Sequence, residues 1–394
     1  RETIVKAYKS LIILTVAQSF GLTAAPILVL LGGIVGTQLA PRNDLATLPI
    51  TFQIVGLASA TIPASILMSK VGRRIGFLTG TALGFFAALL CAYAVWHESF
   101  YIFVLGTFLI GNYIAFLQQF RFAVAETVPK DKVPRSLSIL MLAGIVAALL
   151  GPEVGQRYSA VDGLPLYVGS FLGLACLLTI SLLILLLFYR DTNVVTEVSE
   201  GEIRPANVIF KQPKLILAIV SAAMAYSIMS LIMTATPLSM HEIERYSLES
   251  TTRVLQSHIL AMYAPSFFSG LLISKLGVFR VIKFGLAVLT LSIFVGSGDP
   301  DYIDYWVALI FLGIGWNFLY LGGTTLITQC YRSSERFRVQ AVNDFIVFGL
   351  QGFGSLGAGV LLATVGWNGL LTAAVPGLLI LLTAIILARR FVVS

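Results

Sequence analysis

Charge is what this chain has least of. Asp, Glu, Lys and Arg make up 11% of its 394 residues, where a soluble globular protein carries roughly 25%. So few charges cannot clothe a water-exposed surface of this size. Cysteine is nearly as scarce: Cys91, Cys176 and Cys330 sit in apolar surroundings at no recognisable spacing, which excludes a disulfide framework and a zinc site. Histidine occurs three times, at 97, 241 and 258. A carboxylate pair, a Cys/His dyad and a phosphate-binding glycine loop are all missing at any plausible depth, so an enzyme is not expected and no residue is assigned to catalysis.

What the chain has in quantity is apolar sequence. Hydrophobic residues are 57% of the total, and they gather into twelve stretches long enough to cross a bilayer. These lie near 8–32, 46–68, 76–96, 99–121, 136–156, 164–189, 213–239, 253–273, 280–297, 304–330, 340–364 and 368–388. The first is too long for a signal-peptide core and lacks a cleavage site, so it is expected to stay as a helix. With both termini placed inside, all the Lys and Arg except Arg42, Arg157, Arg245 and Arg253 fall on the inner side. The positive-inside rule therefore predicts cytoplasmic termini. It also explains the net charge of +7 as topology, with no nucleic-acid partner.

The longest polar interruption is Arg190 to Lys214. The expected organisation is an N-terminal six-helix half at 1–189, a cytoplasmic linker at 190–212 and a C-terminal six-helix half at 213–394. The halves echo each other: Ser69-Lys70-Val71-Gly72 with Gly80 recurs as Ser274-Lys275-Leu276-Gly277 with Gly285. Internal repeats of this kind build alternating-access transporters.

Met229 and Met233 are four residues apart, as are His258 and Met262. In helices each pair shares a face. They flank the polar patch Met240 to Arg253 almost symmetrically, so a turn there returns both pairs to about 15 Å depth, near the middle of a core of roughly 30 Å. Thioethers and an imidazole suit Cu(I) better than a hard cation, and an intramembrane His is a functional candidate by default. Methionine as core filler is the plain alternative. Met240 and His241, at the outer mouth, could pass the metal inward or simply end a helix. Pro237 is expected to break the backbone ladder just above the Met pair.

Further polar groups lie within the spans. Gln118, Gln119 and Arg121, then Asn317 and Tyr320, could line a cavity or couple protons, with helix-to-helix hydrogen bonding as the equal alternative. Asp344, near a helix start, is expected to be solvated at the surface.

Twelve spans, a six-plus-six linker and the loop Ser69-Lys70-Val71-Gly72-Arg73-Arg74 resemble the major facilitator superfamily. That resemblance implies an all-α membrane protein with two pseudo-symmetric six-helix halves. The loop departs from the family pattern, having no acidic residue before its Gly-Arg pair. More narrowly, MSLIMTATPLSM followed by SHILAMYAPSFFSG resembles the CcoA type of bacterial copper importer, with Met-xxx-Met in the seventh helix and His-xxx-Met in the eighth. It implies that Met229, Met233, His258 and Met262 hold copper as transported substrate, free or chelated, on its way through the bacterial inner membrane to cytochrome oxidase assembly. The alternative is a proton-coupled transporter of a small organic solute or drug. Glu153, in Gly151-Pro152-Glu153-Val154-Gly155, resembles the Gly-Pro motif of drug and proton antiporters and favours that reading.

Overall fold

The computed structural model describes residues 2–42, 45, 48–191 and 203–392, without the side chains at 2–7, 241, 242, 248, 249, 252, 391 and 392. Every regular element among them is helical. Hydrocarbon offers backbone N–H and C=O groups no water, and a helix satisfies them within one segment. In chain order the helices are α1 (Glu2–Gly21), α2 (Ala24–Leu39), α3 (Leu48–Trp96), α4 (Phe100–Gln118), α5 (Phe120–Thr127), α6 (Val133–Met141), α7 (Ala143–Arg157) and α8 (Val168–Phe188). There follow α9 (Ala206–Phe210), α10 (Pro213–Pro237), α11 (Leu248–Tyr263), α12 (Ser269–Leu276), α13 (Val278–Val295), α14 (Tyr302–Ile327) and α15 (Arg336–Val392).

Nine helical runs among the described residues are long and apolar enough to span, or ten if the bent pair Arg253–Phe267 and Ser269–Leu276, inclined at 46°, is one span. Two of them are far too long for one crossing. The 49 residues of α3 would run about 74 Å at 1.5 Å per residue, and each long helix is interrupted by a non-helical glycine, Gly72 in α3 and Gly366 in α15. Counting two spans in each gives the twelve expected.

The internal echo has a structural counterpart. Gly72 has φ 85° and ψ 166°, and Gly277 has φ 86° and ψ 149°. Only a residue without Cβ adopts this left-handed backbone cheaply, so both repeats turn from one helix into the next on the same glycine.

The chain divides into two compact units. Unit 1 takes Arg1–Val128, Leu140–Glu197 and Phe337–Phe345; unit 2 takes Pro129–Ile139, Val198–Arg336 and Ile346–Ser394. They differ from the expected halves by two exchanged segments, each with a local cause. Residues 337–345 carry Gln340, Asn343 and Asp344, whose partners belong to unit 1. In unit 2, the Ser138 hydroxyl donates to the Ser266 carbonyl and accepts from Gly270 N at 3.1 Å. Of the expected linker, residues 192–202 lie outside the described residues. Its far end is fastened within unit 2, where the Arg204 guanidinium donates to both Glu335 carboxylate oxygens at 2.8 and 2.6 Å. That hydrogen-bonded carboxylate raises the Arg204 pKa further, so the fastening charge is permanent.

Pro237 ends α10 and leads into a π-helical turn, Leu238–Ile243. Proline lacks the N–H that an α-helical ladder needs, and the chain re-forms it one residue wider, with Glu244 N donating to the Ser239 carbonyl at 2.9 Å.

Candidate functional site

In unit 2, α14 is the helix on which α10, α11 and α13 all pack. Glycine makes that possible. A Cβ at Gly313 would stand 2.7 Å from the His258 carbonyl of α11, and one at Gly323 would stand 2.7 Å from the Ala218 carbonyl of α10. Backbones this close bring large side chains from several helices to one place.

That place is an aromatic cluster. Trp316 and Tyr320, four residues apart on α14, stack with centroids 5.0 Å apart and planes at 23°. Tyr226 of α10 meets Trp316, Tyr320 and Phe348 edge-on at 5.2, 5.1 and 5.3 Å. Tyr263, the last residue of α11, meets Trp316 edge-on at 5.7 Å. These offset and perpendicular arrangements are the ones that ring quadrupoles favour.

The polar groups around it are half satisfied. Asn317 is fully buried; its amide nitrogen donates to the Met262 carbonyl at 2.7 Å and to the Ser266 hydroxyl at 2.8 Å. Its Oδ1 has no partner among the described residues, and neither has Trp316 Nε1. His258 is also fully buried, with Nδ1 2.8 Å from the Leu309 carbonyl. A carbonyl can only accept, so Nδ1 carries the proton and Nε2 of the neutral ring is left as an acceptor. Nε2 has no partner among the described residues. An unsatisfied buried donor or acceptor costs about 1–3 kcal/mol, so Trp316 Nε1 and Asn317 Oδ1, on neighbouring residues of α14, mark a place where a guest could complete the bonding.

The expected metal ligands fall in this unit. His258 and Met262 share the face of α11 that meets α14, as the close approach at Gly313 shows. Met229 is buried on α10, three residues beyond Tyr226, and Met233 is half-buried. Among the described residues no group of three or more His, Cys, Asp or Glu side chains is placed to hold a metal. Met240 is fully buried, in the turn that follows α10; the side chain of His241 lies outside the described residues.

Unit 1 holds a different site, an ionic network. Arg73 is buried, and its guanidinium donates to Glu126 at 2.7 and 3.3 Å, to Gln340 at 2.6 Å and to Gln119 at 2.9 Å, with its face 4.7 Å from the Phe337 ring centre. Arg121 pairs with Asp344. Gln119 and Asn343 also donate to Asp344, at 2.8 and 2.9 Å. Arg121 and Gln119 are therefore joined in one lattice, while Gln118 is half-buried beside it.

Two expectations are corrected here. Asp344 is wholly buried because Arg121 answers its charge, so it is not a solvated surface group. Glu153, by contrast, has a side chain that is 64% exposed and lies 3.8 Å from Arg157, one turn away. Sequence reasoning missed Glu126, which supplies from α5 the acid absent from the Gly72 loop. An acidic residue five positions after Arg121 on the same short helix was its only signal.

Comparison with known proteins agrees with this architecture. The family model described as Major Facilitator Superfamily matches residues 10–350. A riboflavin transporter, RfnT of Brucella anthropi, is 35% identical over 391 residues, covering 98% of this chain and 96% of that protein. Among solved structures, the Escherichia coli fucose:proton symporter FucP aligns with a TM-score of 0.71 at 16% identity over 99% of each chain. The human organic anion transporter MFSD10 aligns with a TM-score of 0.76 at 12% identity, over 96% of this chain and 99% of that one. At such identities the two structures speak for the fold alone.

Proposed function

The chain belongs to the Major Facilitator Superfamily, a multi-pass membrane transporter and not an enzyme, and from that premise we propose that it carries a small organic solute with a flat heteroaromatic ring. Riboflavin is the compound to try first. The carrying observation is the unit 2 cluster: stacked and edge-on aromatic faces with a buried indole N–H and an amide oxygen, on the neighbouring residues Trp316 and Asn317, that lack partners among the described residues. A flat ring offers a face to stack on, worth about 0.5–1.5 kcal/mol per aromatic pair beyond area burial. Its carbonyl oxygens accept, and its imide N–H donates. Apolar walls with a few convergent polar groups are what solute pockets are made of.

The relatives support the organic-solute alternative better than copper import. The 35% identical relative is a riboflavin transporter, and a flat guest uses the same nitrogen of His258 that a metal would. The positive-inside bias of Lys and Arg supports a bacterial inner membrane protein with both termini on the cytoplasmic side. We also assign proton coupling to Asp344, the buried carboxylate that Arg121 holds.

Riboflavin exchange in proteoliposomes tests the reading without assuming a direction. The intact protein should exchange labelled riboflavin, and Trp316→Leu and Asn317→Ala should each cut the rate by about tenfold, matching the loss of one buried hydrogen bond or stacking partner. Radiocopper movement without riboflavin exchange would reject the proposal and restore the thioether and imidazole site.

A further inference from the structure

The two glycine turns have the same backbone and open onto different surroundings. After Gly72 the helix resumes against Asp191, whose carboxylate accepts the Arg74 backbone N–H at 2.9 Å. The other oxygen of Asp191 stands 2.9 Å from where a Cβ of Gly72 would be. Unit 1 thus supplies its own anion to a helix start, where free N–H groups and the helix dipole attract negative charge.

Unit 2 does not. Gly277 is the N-cap of α13, an 18-residue helix, with no side-chain cap bond. Among the described residues nothing lies within 4 Å of a Cβ built there. The turn opens instead into a cavity of about 680 Å³ whose lining includes Lys130, Lys214, Arg280, Lys283 and Arg389 against a single acid, Asp131. Asp131 is itself engaged, 3.3 Å from Lys132. The wall also includes Thr325, 1% exposed, whose hydroxyl has no partner among the described residues.

We propose that this cavity, at the start of α13, is a binding site for a phosphate-bearing anion. The argument is one of complement: the repeat places a carboxylate at this point in unit 1, and unit 2 offers the same helix start, five cations against one acid and a spare hydroxyl donor, with no acid seated at the turn itself among the described residues. Helix N-termini hold phosphate through backbone N–H groups, and Lys and Arg add charge-assisted bonds that are stronger than neutral ones. A cavity of this size admits an organic ester as well as the bare anion. The basic end of the protein is the one that the positive-inside rule assigns to the cytoplasm. Two sources meet there, the phosphodiester headgroup of an anionic lipid and a soluble phosphomonoester. The site is separate from the aromatic cluster, so it stands whether or not riboflavin is the cargo.

The test uses the purified full-length protein in detergent, followed by thermal unfolding and by calorimetric titration. Inorganic phosphate, phenyl phosphate and short-chain phosphatidylglycerol are each compared with sodium chloride at matched ionic strength. Phosphate-bearing probes should stabilise the protein beyond chloride, and Lys214→Gln with Lys283→Gln should weaken their binding by about tenfold or more, as loss of two charge-assisted contacts requires. Thr325→Val, which keeps side-chain volume, should weaken it several-fold. Tighter binding of phosphatidylglycerol than of phenyl phosphate identifies a lipid headgroup, and the opposite order identifies a soluble ester. Equal responses to chloride and phosphate, or unchanged binding by both the double variant and Thr325→Val, would overturn the proposal. Riboflavin exchange by the double variant should equal that of the parent protein, which separates failure here from failure of the transport reading.

Discussion

Unit 1 answers its buried charges from within; unit 2 leaves much of its buried polarity unanswered. In unit 1, Arg73 meets Glu126, Arg121 meets Asp344, and the helix after Gly72 meets Asp191. In unit 2, His258 Nε2, Trp316 Nε1, Asn317 Oδ1 and the Thr325 hydroxyl lack partners among the described residues, and the helix after Gly277 faces five cations against one acid. Unit 1 has its own orphan in the Tyr113 hydroxyl, so the contrast is one of degree. Duplicated backbone does not carry duplicated chemistry: the same turn is closed by an aspartate in one repeat and left open to a guest in the other.

The contrast is easiest to break at the buried ion pair. Arg121→Leu leaves the buried Asp344 carboxyl without its cation, and should destabilise the protein by about 3–5 kcal/mol in detergent unfolding. Adding Asp344→Leu should recover most of that loss, because two apolar groups need no partner. A single-variant cost below about 1 kcal/mol would mean that the network is solvated and that unit 1 is not closed in this sense.

The glycine turns give a middle-sized comparison. Gly72→Ala and Gly277→Ala both force a positive-φ extended backbone on a side chain, at about 1–3 kcal/mol each. Gly72→Ala should cost more, since its Cβ must also displace the Asp191 carboxylate while Gly277 has open space. Equal losses in melting temperature would remove the claimed difference between the turns.

The smallest effect is expected for Asp191→Asn, which keeps a hydrogen-bond acceptor but removes the negative charge from a helix start. A loss of about 0.3–1 kcal/mol, shrinking as salt is raised, is the expected reading. Lys283→Gln in unit 2 has no paired carboxylate to lose among the described residues, only the Phe279 ring 5.3 Å away, so its unfolding without phosphate should stay within about 1 kcal/mol of the parent. A large loss there would show that the cation belongs to the fold and not to a ligand.

Much of the architecture could be read in advance. The twelve spans follow from apolar length, and the echo at Gly72 and Gly277 foretold a shared turn that the backbone angles display. Asn317 and Tyr320 were legible as costly intramembrane groups. The charged partners were not. Asp344 reads as a helix-start acid because nothing near it in sequence answers it; Arg121 lies more than 200 residues away. The soft side chains were the converse hazard: Met229, Met233, His258 and Met262 have a spacing that suits a metal, yet spacing along two helices does not decide what lies between them.

What the sequence by itself determined is what hydrocarbon demands: helices, their number and the glycine at each turn, all local consequences of backbone satisfaction and apolar length. What only the tertiary structure decided is which polar groups meet. Pairing of Arg73 with Glu126, exchange of residues 337–345 into unit 1 and the gathering of Tyr226, Tyr263, Trp316 and Tyr320 all join positions far apart in the chain. Such contacts are set by how helices approach one another at points such as Gly313 and Gly323, and no periodicity within a single helix encodes that approach.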